Sequence, residues 1–583
     1  MSTSRTFQTP QSPRTSQTPL EPKLTASADN IQLNRWIPPQ AGTMPALRIG
    51  KRWVNILWAI PLAVALLLPA IAAAQWLRTL PAVQQFIAQY PGDTGAQPVL
   101  SGYPLWLQLL HFFNLFFMMF IIRAGVQILA DHPRLYWRRD STPGSEWFRF
   151  QHDVPRDRVW TSTDDSVSLP TWLGIPGVRH TVGLARWWHF VFDLFWILIG
   201  IAFYVLLFTT DQWHRLVPAN WTVFPNALST ALQYLSLQFP VEHTWTAFNG
   251  LQQLAYFTTV FIAAPLAIIT GLMQGPAFGN KLGWFAKVVN RQASRTLHFL
   301  VLGWFLFFIF VHVTLVFITG LRVNLNHMFG GTNDDSWNGL LIFIAAMLIV
   351  AIGWALASPL TLKHARRVQK IGEALLGGLK ALIEVWQPST QYQPKDISPY
   401  FWVNGKFATF AAYDALRAND FADYQLPVYG LVEKPQTFSF AALKQMPKQT
   451  QITQHFCIQG WSGVAEWGGV PVRDILDLVK PKPEARYVVF YSFAEEDGGG
   501  LYYNVHTIKN MRHALSILAY EMNGAALTFE HGAPLRLRCE NELGFKMVKW
   551  IQAIELVADL TQLGAGQGGY DEDHKFYGNH MPI

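Results

Sequence analysis

The sequence predicts a membrane all-α helical bundle of six transmembrane helices followed by an α+β soluble domain. Three observations carry that reading. Six long apolar segments fill the first two thirds of the chain. The connections between them alternate between strongly basic and nearly uncharged. From about Lys395 the texture changes to short β-like runs separated by Gly, Pro, Asn and Asp turns.

Composition agrees. Of the 583 residues half are hydrophobic, 14% are aromatic and only 14% are charged, a balance rare in soluble enzymes of this length. The net charge of +7 does not indicate nucleic acid, because Lys and Arg cluster beside apolar runs instead of forming one continuous basic stripe. The stretch 1–45 is rich in Ser, Thr, Pro and Gln, contains no apolar run or twin-arginine motif, and reads as a disordered tail rather than a cleaved signal.

The six segments are roughly Val54–Trp76, Leu105–Leu129, Trp188–Phe208, Phe248–Met273, Leu297–Gly320 and Leu340–Leu360, each near the ~20 residues that cross a bilayer as helix. The fourth contains Gln252, Gln253 and Pro265, tolerated in a span that faces other helices. One set of connections holds Arg48, Lys51 and Arg52, then Arg134, Arg138 and Arg139, then Lys281, Lys287, Arg291 and Arg295, then Lys363, Arg366 and Arg367. The other set offers only Arg78, Arg215 and Arg322. The positive-inside rule therefore expects a multi-pass protein of the cytoplasmic (inner) membrane with both termini cytoplasmic. Residues 46–362 form the membrane domain in this reading, 363–394 an amphipathic linker and 395–583 the soluble domain.

Two histidines, His298 and His312, share the fifth segment and one helix face, because fourteen residues is close to four turns. They stand ~21 Å apart along the axis. His189 begins the third segment and His111 lies near the start of the second, which runs the other way. Matching depths pairs His189 with His298 on the inner side and His111 with His312 on the outer. Paired imidazoles suit low-spin haem iron, and ligation satisfies a polar group that is costly to bury alone. A lone intramembrane His more often bonds a neighbouring helix, but four at matched depths favour iron. His180, His214, His243 and His327 fall at span ends or in loops and are not assigned to it. With no CxxCH motif, any haem is non-covalently held.

These residues, with Arg186-Trp187-Trp188-His189 and His132-Pro133-Arg134-Leu135-Tyr136-Trp137, resemble the di-haem cytochrome b subunits of formate dehydrogenase, nickel-iron hydrogenase and thiosulfate reductase. The resemblance implies a four-helix haem-binding core made of spans two to five, with spans one and six as additions. It also implies two b haems and electron exchange with membrane quinone or quinol.

Only Cys457 and Cys539 occur, far apart, so no disulfide framework is expected. Around the first the sequence reads His455-Phe456-Cys457-Ile458-Gln459-Gly460-Trp461-Ser462. A thiolate is a soft metal ligand, although a single buried Cys is by itself more often structural. Downstream come His531-Gly532-Ala533-Pro534-Leu535-Arg536-Leu537-Arg538 and Gly544-Phe545-Lys546-Met547-Val548-Lys549-Trp550. Glycine permits close backbone approach, and Arg or Lys suits a terminal phosphate.

In this order the motifs resemble the sulfite oxidase-like molybdopterin superfamily, closest to its YedY-like, methionine sulfoxide reductase branch. The resemblance implies that Cys457 ligates molybdenum and that Asn404, Ser492, His531, Arg536, Gly544, Phe545 and Lys546 hold the pterin and its phosphate. Sulfite oxidases proper carry an arginine-bearing segment after the metal Cys, and here Ile458-Gln459-Gly460-Trp461 follows, which puts sulfite in doubt. The reductase branch tends to have Asn where His531 stands.

Together the halves suggest a molybdopterin-dependent oxidoreductase. Electrons pass between quinone, two b haems and a molybdenum centre that performs oxygen-atom transfer on a small substrate, a sulfoxide or N-oxide in preference to sulfite. Two alternatives stay open: a transmembrane electron carrier whose C-terminal domain binds a cofactor or partner without turnover, and a membrane protein with a docking domain and no redox centre. The partners expected are membrane lipid, quinone and a small oxo-transfer substrate, with no nucleic acid. A homo-oligomer is compatible with the sequence.

Overall fold

The computed structural model describes residues 39–92, 102–240, 243–275, 289–384, 392–405, 407–408, 411–495 and 500–581. Most of the expected disordered tail, the loop cations Lys281 and Lys287, and part of the expected linker lie outside the described residues.

Among the described residues six helices are long and apolar enough to cross a membrane: Ile56–Leu77, Leu105–Asp131, Val182–Thr209, Gly250–Leu272, Arg291–Gly330 and Asn338–Lys363, called spans one to six below. Their middles expose Leu, Ile and Phe, the expected surface of a bundle whose solvent is lipid. Spans three and five each begin about two turns earlier than hydropathy indicates. The added residues of span five, Arg291, Gln292, Ser294, Arg295 and Thr296, are polar and yet buried: the soluble domain covers Arg291 and Gln292, and the segment after span two covers Arg295 and Thr296. Span five is interrupted at Gly320, whose φ of +151° is open to glycine and strained for other residues.

The segment between spans two and three belongs structurally to the junction. A four-stranded sheet runs in the order Arg52–Asn55, Ala46–Ile49, Phe148–Arg149, Arg134–Leu135, so the strand pair before span one is tied to this segment. Arg134 holds it together. Its guanidinium meets Asp165 at 2.8 Å and Glu146 at 3.0 Å, all three side chains being buried. Arg134→Met leaves two buried carboxylates without their cation, for which a loss of ~3–5 kcal/mol is expected. Thermal unfolding in detergent should show a clearly lowered midpoint, and an unchanged midpoint would refute the assignment.

The soluble domain has two five-stranded sheets. One orders Leu501–Thr507, Tyr487–Glu495, Ile551–Val557, Gln425–Gly430 and Gln436–Ser439. The other orders Ala525–Ala526, Ser516–Met522, Ser462–Pro471 and Gln449–Phe456, with Arg536–Cys539 pairing on Ser516–Met522. Val488, Phe490, Leu518, Leu537, Ile554 and Leu556 belong to one buried cluster that spans both sheets. After the last strand the chain forms the short helix Tyr570–His574 and returns to the membrane helices.

Candidate functional site

The histidines of spans three and five come together. The rings of His189 and His298 lie 6.2 Å apart between centroids, consistent with two imidazoles flanking one metal atom at ~2 Å per metal–nitrogen bond. His189 Nδ1 is 3.0 Å from the Ile121 carbonyl. His298 Nδ1 is 3.1 Å from both the Ala267 carbonyl and Thr270 Oγ1. A carbonyl acceptor requires Nδ1–H, so this network assigns the tautomer that leaves an Nε2 lone pair for a metal. Gly125 and Gly271 lie against the two imidazoles, where an added Cβ would stand 3.2 and 3.6 Å from the respective Cε1 atoms.

His111 and His312 line one cavity of about 660 Å³ within the bundle. His312 stacks on Phe308 at 5.5 Å, and its Nδ1 is 3.3 Å from the Tyr256 hydroxyl. His111 Nδ1 is buried without a hydrogen-bond partner, an orphan that calls for a ligand. His327 also faces this cavity, but its nitrogens meet Asn333 at 2.8 Å and Thr244 at 3.2 Å. The two pairs therefore fit b haem, and His327 is accounted for without it.

Cys457 follows the strand Gln449–Phe456 and opens a tight turn. Its N–H donates to the Trp461 carbonyl and its carbonyl accepts from the Gly460 N–H, both at 3.1 Å. Gly460 has φ +113°, and its α-carbon sits beside the Arg295 guanidinium, so the turn requires glycine. The thiol is fully buried, with Asn404 Nδ2 3.0 Å from Sγ. Burial pushes this thiol up to about 11 despite that hydrogen bond, so the bare cysteine is protonated, and metal ligation requires release of its proton. Ser162, from the segment between spans two and three, bonds the Asn404 side chain and lies 2.7 Å from Gln459 Oε1. A loop of the membrane domain thus orients the surroundings of the cysteine.

Around this turn the aromatic Phe401 contacts His455, Trp461, Trp467 and His531. Arg536 lies over Trp467 and donates to the His531 carbonyl at 3.0 Å. Ser492 donates to the Lys549 carbonyl at 2.7 Å, while the Lys549 ammonium donates to the Asn404 carbonyl. Asn404, Ser492, His531 and Arg536 are thus brought together, with Lys549 joining them. Burial, then Arg536 and Lys549, lowers His531 to about 4. Burial, then the neighbouring Arg538, holds the Arg536 guanidinium well below its usual range. These clustered cations would favour an anionic group such as a pterin phosphate.

Gly544, Phe545 and Lys546 form a buried 3₁₀ turn. A Cβ on Gly544 would stand 2.2 Å from His455 Nε2, and Phe545 packs on Tyr577 at 4.8 Å. Lys546 is engaged elsewhere: its ammonium meets Glu572 at 2.7 Å and Asn579 at 3.2 Å. Of the basic residues in the quoted motifs, Arg536 and Lys549 gather beside His531 and Asn404, while Lys546 pairs with the returning C-terminal segment. Lys549 was visible in its motif but not selected. Ser162 carried no sequence signal.

The junction links the cysteine turn to the helix that carries His298. Arg291 donates to the carbonyls of Cys457 and Trp461, both at 2.9 Å. Gln292 donates to the Gly460 carbonyl and Ser462 Oγ, also at 2.9 Å. His298 lies two turns farther along the same helix, ~10 Å by the helical rise. On the other flank Trp187 donates to the Phe576 carbonyl at 2.9 Å, and Gln369 to the Tyr577 carbonyl at 2.6 Å. Cys457 itself belongs to a buried cluster with Val182, Trp402, Tyr577 and Met581.

Comparison with known proteins agrees with this division. Residues 102–331 match the family described as prokaryotic cytochrome b561, and residues 414–562 match the oxidoreductase molybdopterin binding domain. The first range encloses spans two to five and all four paired histidines, leaving spans one and six outside. The putative protein-methionine-sulfoxide reductase subunit YedZ1 of Azospira oryzae is 30% identical over 190 residues, which make up 32% of this chain and 68% of that protein. The sulfane dehydrogenase SoxCD of Paracoccus pantotrophus matches at 26% identity with a TM-score of 0.22, over 24% of this chain and 39% of the solved one.

Proposed function

Because the chain belongs to the YedZ1 family of membrane proteins and joins a cytochrome b to an oxidoreductase molybdopterin-binding domain, we propose that it carries electrons from membrane quinol to a small oxidised substrate. The route is His111 with His312, then His189 with His298, then Cys457. When bound, b haem at the paired imidazoles supplies one-electron transfer, and molybdopterin at Cys457 supplies two-electron oxygen-atom transfer. Asn404 would orient the sulfur, and Arg536 and Lys549 would hold the anionic end of the pterin. The substrate is a sulfoxide, in line with the methionine-sulfoxide reductase system of the YedZ1 relative. No arginine follows Cys457 in its turn, which argues against sulfite.

The observation that carries this reading is the pair of hydrogen bonds from Arg291 to the carbonyls of Cys457 and Trp461, because the same helix bears His298. The test is stopped-flow reoxidation of pre-reduced haem by methionine sulfoxide or dimethyl sulfoxide in purified full-length protein. Arg291→Gln, with wild-type haem and molybdenum content, should slow reoxidation roughly tenfold, the effect of ~1.4 kcal/mol on the barrier. An unchanged rate removes the junction from the route. Fully loaded wild type that reacts with neither sulfoxide overturns the reductase reading and favours an electron carrier without turnover.

The soluble domain lies on the cytoplasmic side in this proposal. Arg134, Arg291, Arg295 and Arg366 are buried in protein contacts, but Arg48, Lys51, Arg52, Arg138, Lys363 and Arg367 stay exposed at that end of the bundle. At the opposite end Arg215 is buried and Arg78 and Arg322 are half-buried. A reporter fused after Ile583 should be active only as a cytoplasmic enzyme, and export-dependent activity would reverse the placement.

A further inference from the structure

The helix Ala365–Glu384 follows span six with only His364 between them, and its polar side is turned inward. Arg366, Gln369 and Lys380 are buried, and the first two donate to carbonyls of Glu572, Asp573 and Tyr577. Its outward side is apolar. Ile371, Leu375, Leu379 and Leu382 are 58%, 42%, 43% and 65% exposed, and spacings of three and four residues place them on one stripe. A surface helix in water has the opposite arrangement.

Its depth follows from two neighbours. Span six has 26 residues, ~39 Å of helix against a hydrocarbon core of ~30 Å, so Lys363 reaches the head-group level. Gly372 packs on the indole of Trp187, and the Lys380 ammonium lies 4.2 Å over the same ring. Trp187 stands in the second turn of span three, at the depth where interfacial Trp residues collect. The helix therefore crosses the end of the bundle at the membrane surface. Exposed Lys363, Arg367 and Lys370 mark its beginning.

We propose that Ala365–Glu384 is an in-plane membrane helix, its leucine face sunk into the lipid interface and its exposed Arg367 and Lys370, with Lys363 just before it, among anionic head groups. The occupant is the bilayer because the stripe continues the lipid-facing surface of span six, where Ile352, Leu356 and Leu360 are exposed. The helix then sets the height of the soluble domain, because Arg366 and Gln369 on its inner face hold the segment that docks on Trp187. This inference depends on the spans crossing a membrane and not on any cofactor.

Spin labels at Ile371→Cys, Leu375→Cys and Leu382→Cys, each in full-length protein in nanodiscs of phosphatidylcholine and phosphatidylglycerol, test it. Native Cys457 and Cys539 are buried, which directs labelling to the introduced sites. Collision with oxygen should exceed collision with a water-soluble nickel chelate several-fold at all three positions. The order should be reversed at Leu478→Cys, an exposed site of the soluble domain. Access by the nickel chelate at 371, 375 and 382 overturns the proposal. So does low access to both reagents with spin–spin coupling between labels, which would mean that a second copy covers the stripe.

Discussion

Cys457→Ser should abolish oxygen-atom transfer, by more than roughly a thousandfold or ~4 kcal/mol on the barrier, and leave the haem spectrum of the purified protein unchanged. The sulfur is fully buried, and Asn404 Nδ2 lies 3.0 Å from it. A serine oxygen is harder, and its proton is far less readily released, so it replaces neither the softness nor the charge of a thiolate. No second thiol stands in for it. Cys539, the other cysteine, lies 2.8 Å from Asn541 Oδ1 at the end of its own strand. The turn should survive the substitution, because its hydrogen bonds to Arg291, Gly460 and Trp461 use the backbone. Molybdenum and pterin analysis beside activity checks the result, and a variant that retains turnover would remove the cysteine from the metal site.

His298→Ala should separate the two halves of the chemistry. In the proposed two-haem arrangement the substitution removes a ligand from the inner site and leaves His111 and His312 in place, so haem content should fall by about half. Quinol-driven turnover should fall more than roughly a hundredfold, equivalent to ~2.7 kcal/mol. Turnover driven by dithionite-reduced viologen, which can deliver electrons at the soluble domain, should stay close to wild type. His111→Ala is the companion: quinol-driven turnover is again lost, but reoxidation of the remaining haem by sulfoxide persists. Loss of viologen-driven activity in His298→Ala would show that the histidine supports the molybdenum domain structurally instead of conducting.

Hydropathy made the six spans legible, and a fourteen-residue spacing together with opposed helix directions paired the histidines. These are local or periodic signals. Contacts between distant segments left no such trace. Ser162 meets Gln459 across almost three hundred positions, and neither residue type announces a site. Hydropathy starts span five late because Arg291, Gln292 and Arg295 are polar, and it cannot distinguish a polar turn in water from one buried under another part of the fold. Lys546 and Lys549 share one short motif. Which of them gathers beside Asn404 depends on Glu572, supplied by the returning segment, and composition near either lysine does not reveal it.

That returning segment also sets an order in time. Synthesis runs from the N-terminus, so all six spans and both sheets are made before Phe576 and Tyr577, whose carbonyls bond Trp187 and Gln369. Until those residues arrive, the buried cluster around Cys457 lacks Tyr577 and Met581, and the junction lacks their bonds to Trp187 and Gln369. The C-terminal segment is thus the last part of the chain to complete both the buried cluster and the junction with the membrane helices.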